Sequence, residues 1–177
     1  DKMQTDLRNR IESDAKVAAE NLRIRQALDN VSVSVTVSND ENNLIYLNHA
    51  AIELMKSMEN QILNQHPGFS VDSLIGDKIS IYLEDKSVAS AYQQALKSEQ
   101  EYNMVLAERN LHLTASPVYD DSGTYQGRVT QWQDITDQLA AEQEERNRIE
   151  AERIVASENA RIRVALDNVT TNVMLAD

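Results

Sequence analysis

The chain has 177 residues, 41% of them apolar and 26% charged, enough for one globular domain of ordinary size with helix to spare. A net charge of −12 offers no basic surface to neutralise phosphates, which excludes a nucleic-acid partner, and it repels the anionic face of a membrane. Cysteine is absent, so disulfides, thiolate metal sites and cysteine nucleophiles are excluded, and no window holds the run of about 18 apolar residues that a membrane span needs.

Residues 1–27 are charged, rich in Ala, Arg and Glu, and free of Gly and Pro, which predicts a helix. From Val31 to Ser38 valine alternates with Ser and Thr, the period of a half-buried strand. Asn39-Asp40-Glu41-Asn42 is turn chemistry, and Leu44 to Leu47 is a second strand, so the two make a hairpin. Asn48 is placed to cap a helix whose Ala51, Leu54, Met55 and Met58 cover one face. His66-Pro67-Gly68 breaks the chain, and residues 71–83 read as short helical or irregular pieces around Gly76. Ser87 to Lys97 is expected as an amphipathic helix with Val88, Ala91, Tyr92 and Ala95 on one side. Three strands follow, at 102–107, 111–118 and 128–135, the last two joined by a turn at Tyr119–Gly123. After Thr136 the chain is predicted helical to residue 168. Two strands, short helices and three antiparallel strands make an α+β domain with one sheet.

The chain also repeats itself. Arg8-Asn9-Arg10-Ile11-Glu12 returns as Arg146-Asn147-Arg148-Ile149-Glu150, and Ala27-Leu28-Asp29-Asn30-Val31 as Ala165-Leu166-Asp167-Asn168-Val169. Laying 8–39 on 146–177 without a gap gives 18 identities in 32 positions, an offset of 138 residues. This predicts a tandem array of helix-plus-domain units. Residues 169–177 are then the start of the first strand of the next unit. With no initiator Met and no signal-peptide pattern, the chain is expected to be a piece of a longer protein.

The run Leu113, Pro117-Val118, Asp120, Gly123, Gly127 and Val129, closing on Asp134-Ile135-Thr136, resembles the C-terminal half of a PAS domain. Leu44-Ile45-Tyr46-Leu47-Asn48 before an Ala-rich helix is similar to that family's second strand and first helix. The resemblance covers residues 28–136. It implies the PAS fold, a five-stranded antiparallel sheet in the order 2-1-5-4-3 with short helices on one face that make a ligand pocket. Phe69, Leu74-Ile75-Gly76, Ile79 and Gln131-Trp132 look like the PAS domains of bacterial chemotaxis receptors, which include haem-binding aerotaxis domains.

In those relatives a histidine shortly after the Ile ligates haem iron. Here the matching stretch is Ile79 to Asp85, and the ligand position falls on Leu83, which supplies no axial donor. The expectation is therefore no cofactor, with haem b as the alternative. If a ligand binds, the candidates are Trp132, Leu113, Tyr82, Leu83 and His66. Trp132 matches the residue that stabilises bound oxygen in haem relatives, or else fills the core. His112 alternates with Leu111 and Leu113 and should face away from the pocket, and His49 is expected to be exposed. No histidines have metal-ligand spacing. The carboxylates at 142–152 are interleaved with Arg and read as a solvated helix face. No phosphate loop, catalytic triad or kinase motif is present, so the chain is not expected to be an enzyme.

Asp134, Ile135 and Thr136 are the expected point of signal transfer, with Thr136 capping the long helix. Val155, Ile162 and Val169 recur at sevens with Leu166 between them, and upstream the stripe is Val17, Ile24, Leu28 and Val31. Arg148, Glu152 and Asn159 interrupt the seam, which suits a two-state relay better than a permanent clamp. The expected assembly is a parallel homodimer through these helices. Neighbouring PAS units and a C-terminal output domain lie in the same chain, and the place is the cytoplasm or the cytoplasmic part of a membrane receptor.

Overall fold

The computed structural model describes residues 2–175. Helix α1 (Lys2–Asp29) follows from its Gly- and Pro-free composition, and none of its residues is buried. Helix α2 (His49–Gln65) starts on Asn48, whose Oδ1 accepts the Ala51 N–H at 2.9 Å, and it buries Ala51, Met55, Met58 and Ile62 at helical spacing. Two single 3₁₀ turns, Val71–Ser73 and Ile79–Ile81, lead to helix α3 (Lys86–Ala91), opened by the Asp85 carboxylate accepting from the N–H groups of Ser87 and Val88.

The strands are β1 (Ser34–Asn39), β2 (Leu44–Leu47), β3 (Gln100–Leu106), β4 (Arg109–Tyr119) and β5 (Tyr125–Asp134). They form one antiparallel sheet in the order β2-β1-β5-β4-β3, as the resemblance implies. The alternation at 31–38 does mark a strand, but the strand begins three residues later and the valines are not the core side. In register, Trp132 lies opposite Ser34 and Leu113, Thr130 opposite Thr36 and Ala115, and Arg128 opposite Ser38. Directly opposed residues share a face. The inner face of β1 is thus Ser34, Thr36 and Ser38, all buried, while Val35 on the other face is also buried but stands outside the core cluster. Gly127, opposite Asn39, has φ +137°, and a Cβ there would run into the Ser38 carbonyl oxygen. Only glycine permits the two strands to pair this closely.

The core lies between the sheet and the helices, with Leu44, Met55, Met58, Leu74, Leu111, Leu113 and Trp132 among its most buried side chains. Helix α3 is shorter than the expected Ser87–Lys97. It stops at Ala91 because the guanidinium of Arg128 takes the carbonyls of Ala91 and Gln94, so the chain turns there instead of continuing.

The chain divides at Ile135 into two compact units, and the second is helix α4 (Thr136–Met174). None of its residues is buried, and its carboxylates pair with arginines: Glu145 with Arg148 at 2.7 Å, Glu150 with Arg153 at 2.8 Å. The expected strand start at 169–177 is not what forms over 169–174, which are helical; residues 176 and 177 lie outside the described residues. In the helix these residues satisfy their backbone groups locally.

Candidate functional site

The inner face of β1 and β5 carries polar groups inside an apolar core. Trp132, 2% exposed, donates its indole Nε1–H to Thr36 Oγ1 at 2.9 Å, and Leu113 lies opposite it on β4. The next inward residue, Thr130, shares a 3.2 Å hydrogen bond with the Tyr92 hydroxyl at the end of α3. Arg128 comes next, 1% exposed, with its guanidinium 4.6 Å from the centre of the Tyr92 ring. It donates to Asn42 Oδ1 at 3.1 Å and to the carbonyls of Ala91 and Gln94. Its Nε and the buried Tyr125 hydroxyl have no hydrogen-bond partner among the described residues. Burial, above all, pushes the Tyr92 phenol up to about 12. Arg128, Tyr92, Thr36 and Thr130 were not among the sequence candidates. The available signal was the period of two along β5, which puts Arg128 and Thr130 on the face of Trp132.

Leu83 is buried in the same core cluster as Leu113 and Trp132, and Tyr82 packs against that cluster. The Tyr82 ring stands edge-on to Phe69 at 4.8 Å and to His66 at 5.5 Å, and its hydroxyl donates to Asp77 Oδ2 at 2.7 Å. Burial first, and then Asp77, raises its phenol to about 12. His66 ends α2, half-buried. The structure thus brings Trp132, Leu113 and Leu83 into one cluster and sets His66 with Tyr82 at its margin. Leu83 has no lone pair to offer a metal, and the indole N–H of Trp132 is committed to Thr36. His112 sits outside, beside Thr114 and Gln131 in a groove of about 390 Å³, bonded through Nδ1 to Asn103 Oδ1 at 2.8 Å. His49 pairs with Glu53 at 3.2 Å on the surface. No cluster of metal-ligating side chains occurs among the described residues.

Both ends of the domain are pinned. At the entrance Asn48, fully buried, donates to the carbonyls of Leu28 (2.9 Å) and Val33 (2.8 Å) and accepts from the N–H of Val35 (2.9 Å) as well as capping α2. Beside it the Tyr46 hydroxyl donates to Asp29 Oδ1 at 2.9 Å, and Asp29 Oδ1 also accepts the His49 N–H at 3.2 Å. At the exit Asp134 pairs with Arg109 at 2.7 Å, and the Ile135 N–H donates to the Asn110 carbonyl at 2.9 Å. Thr136 opens α4, with Asp137 in the first turn where a carboxylate complements the helix dipole.

A family model described as a PAS domain matches residues 32–137. The methyl-accepting chemotaxis protein McpB of Pseudomonas aeruginosa is 32% identical over 127 residues, which is 72% of this chain and 19% of that protein. The chain therefore spans about a fifth of the length of this curated relative. The solved structure of the Aer2 receptor from Vibrio cholerae, a dual PAS-heme oxygen sensor, has a TM-score of 0.51 at 23% identity, covering 59% of this chain and 95% of that one. An RNA-binding light-oxygen-voltage receptor has a TM-score of 0.52 at 18% identity, covering 77% of this chain and 39% of that one. At these identities the two structures share the fold. The family match runs from just before β1 to just past β5, the span of the sheet in the order β2-β1-β5-β4-β3, and on that basis this chain belongs to the PAS domain family.

Proposed function

We propose that this chain is a sensory and relay module of a chemotaxis-receptor-like protein, one unit of a tandem PAS array, acting by conformational change and without catalysis. The observation that carries the reading is the 32% identity to a chemotaxis protein across most of the chain. Two features support it. Only Ile135 separates the end of β5 from the start of α4, so displacement of the sheet has one residue in which to be absorbed. The stripe Val17, Ile24, Val155, Ile162 and Leu166 is more than half exposed throughout, apolar surface available to a second chain. Leu28 is half-buried at the entrance corner. The module works as a parallel dimer through these helices in the cytoplasm, with further PAS units and an output domain in the same protein. No helix among the described residues is long and apolar enough to cross a membrane.

Signal passes through Asp134, Ile135 and Thr136 as a shift between two helix registers. The Arg109–Asp134 pair at the exit is the handle for testing this, because both residues are partly exposed and dispensable to the core. Spin labels at position 152 of both chains of the dimer read the separation of the two α4 helices. Arg109→Ala is expected to shift that distance distribution while the sheet stays folded. An unchanged distribution would make the module a spacer. The pocket works without haem: protein produced with ample haem precursor is expected to be colourless. A strong Soret band that disappears on His66→Ala would instead install His66 as the iron ligand.

A further inference from the structure

The pentapeptide Ala-Leu-Asp-Asn-Val occurs twice, and its two copies have different conformations. At 27–31 the helix stops at Asp29, and at 165–169 it runs on to Met174. Sequence within the five residues cannot account for this, so the cause lies in what each copy meets. The first copy meets a corner of the PAS core made by Tyr46-Leu47-Asn48. The Asn48 side-chain amide donates to the Leu28 carbonyl at 2.9 Å, supplanting the backbone N–H that one more helical turn would offer it. The Tyr46 hydroxyl and the His49 N–H both donate to the Asp29 carboxylate, at 2.9 and 3.2 Å. The Arg25 guanidinium lies 5.8 Å from the Tyr46 ring centre.

Every helix-side member of this corner has its copy in α4. Arg25, Leu28 and Asp29 correspond to Arg163, Leu166 and Asp167 at the same 138-residue offset. The Leu166 carbonyl accepts the Thr170 hydroxyl at 3.0 Å, the Asp167 carbonyl accepts the Thr171 hydroxyl at 2.9 Å, and the side chains of Arg163 and Asp167 are exposed. We propose that Arg163–Val169 is a docking segment for the Tyr-x-Asn corner of a second PAS core, and that capture by that corner ends α4 at Asp167. The occupant is a core that presents a tyrosine hydroxyl and an asparagine amide two residues apart at the end of its second strand. The assignment rests on the tandem reading for where that core comes from, and on the first corner for what it must look like.

The same segment then has two states. Captured, it is a helix end. Without that contact it is continuous helix to Met174. A following core that lets go of Leu166 and Asp167 would lengthen α4 instead of simply loosening it. This is a discrete change of the kind that a two-state relay needs.

The test uses the full chain with residues 170–177 replaced by a second copy of 32–136, which keeps the natural offset. Backbone chemical shifts are expected to show Val169 and the first two residues of the appended copy leaving the helix, as Val31 to Val33 do. Asp167→Ala should speed amide exchange at the appended copy's Val35 about tenfold, the effect Asp29→Ala should have at Val35 itself, since each removes hydrogen bonds to a charged acceptor. The proposal is overturned if the helix runs unbroken into a folded appended sheet, or if Asp167→Ala leaves that exchange unchanged. With 137–168 also placed after the appended copy, so that both cores are followed by the same helix, the proposal is also overturned if the appended core fails to fold while the first is folded. If the natural protein carries no further PAS unit, the tandem reading falls while capture in the extended chain still stands.

Discussion

Arg128 places a guanidinium in the core with only neutral acceptors at its hydrogen-bonding distance: the Asn42 side chain and the carbonyls of Ala91 and Gln94. A buried cation is costly unless its donors are met; here the Tyr92 ring face, Asn42 and the carbonyls of Ala91 and Gln94 take up the two terminal nitrogens, while Nε stays without a partner among the described residues. Tyr92 is therefore both ring partner to Arg128 and hydroxyl partner to Thr130. Because burial raises its phenol to about 12, the unfolded chain releases that proton near pH 10 while the folded chain retains it. The stability from this group is complete below pH 10 and is lost as pH rises toward 12, on the order of 2 kcal/mol. Urea unfolding followed by the fluorescence of Trp132, the single tryptophan, should show that loss between pH 9.5 and pH 11.5, estimated as about that range from the same linkage. Tyr92→Phe should shrink the slope and leave a smaller residue from Tyr46 and Tyr82, which are also raised to about 12 but are more exposed. Equal slopes in the two proteins would show that Tyr92 is not the group responsible.

The β3–β4 hairpin turns through two residues, Ala107 and Glu108, with φ of +50° and +63°. Both angles have the sign that a two-residue hairpin of the right twist demands, and neither residue is the glycine or asparagine that takes it without strain. The Ala107 N–H donates to Glu84 Oε1 at 3.0 Å, which ties this turn to the segment just ahead of α3. Ala107 is buried, so relief belongs at the exposed second position. Glu108→Gly is expected to raise stability by about 1 kcal/mol, read as a higher midpoint of unfolding without change in the m-value. Loss of stability there would mean that the Glu108 side chain has a role the turn geometry does not reveal. Gly127 is the opposite case. Its Cβ would strike the backbone of β1, and Gly127→Ala should lower stability by about 2 kcal/mol or more in the same measurement.

For the molecule as a whole, neither long helix has a buried residue, and in the proposed dimer their apolar stripes are the surface that a second chain would cover. Each Val or Ile buried between chains contributes about 1.5–3 kcal/mol, against a substantial entropic cost of association. Arg148, Glu152 and Asn159 interrupt the stripe, so a concentration-dependent dimer is expected in sedimentation. Ile24→Asp with Ile162→Asp should give a monomer whose PAS core is intact, because these side chains are 59% and 58% exposed and neither belongs to the core cluster. A double variant that still dimerises would move the interface to the outer face of the sheet around Val129 and Gln131.

The sequence by itself determined the elements and their order. Alternation located β1, the Asn39–Asn42 turn located the hairpin and Asn48 located the start of α2, because each of these is a local rule of backbone or capping chemistry, whereas the Asp134-Ile135-Thr136 exit located the start of α4 through the family resemblance. The sequence also turned His112 to the face opposite Leu111 and Leu113, since side chains alternate along a strand, while the register that sets Leu113 opposite Trp132 came from the sheet. Only the tertiary structure decided which face of β1 is inside. Val and Ser alternate equally well on either face, and the choice falls to Thr36 because its hydroxyl is needed by the indole of Trp132. Only the tertiary structure stopped α3 at Ala91, through a guanidinium that arrives from 37 residues away. And only the tertiary structure separated the two copies of Ala-Leu-Asp-Asn-Val. A helix end is chosen by whichever acceptors and donors surround it, and an asparagine 20 residues away supplies them to Leu28 alone.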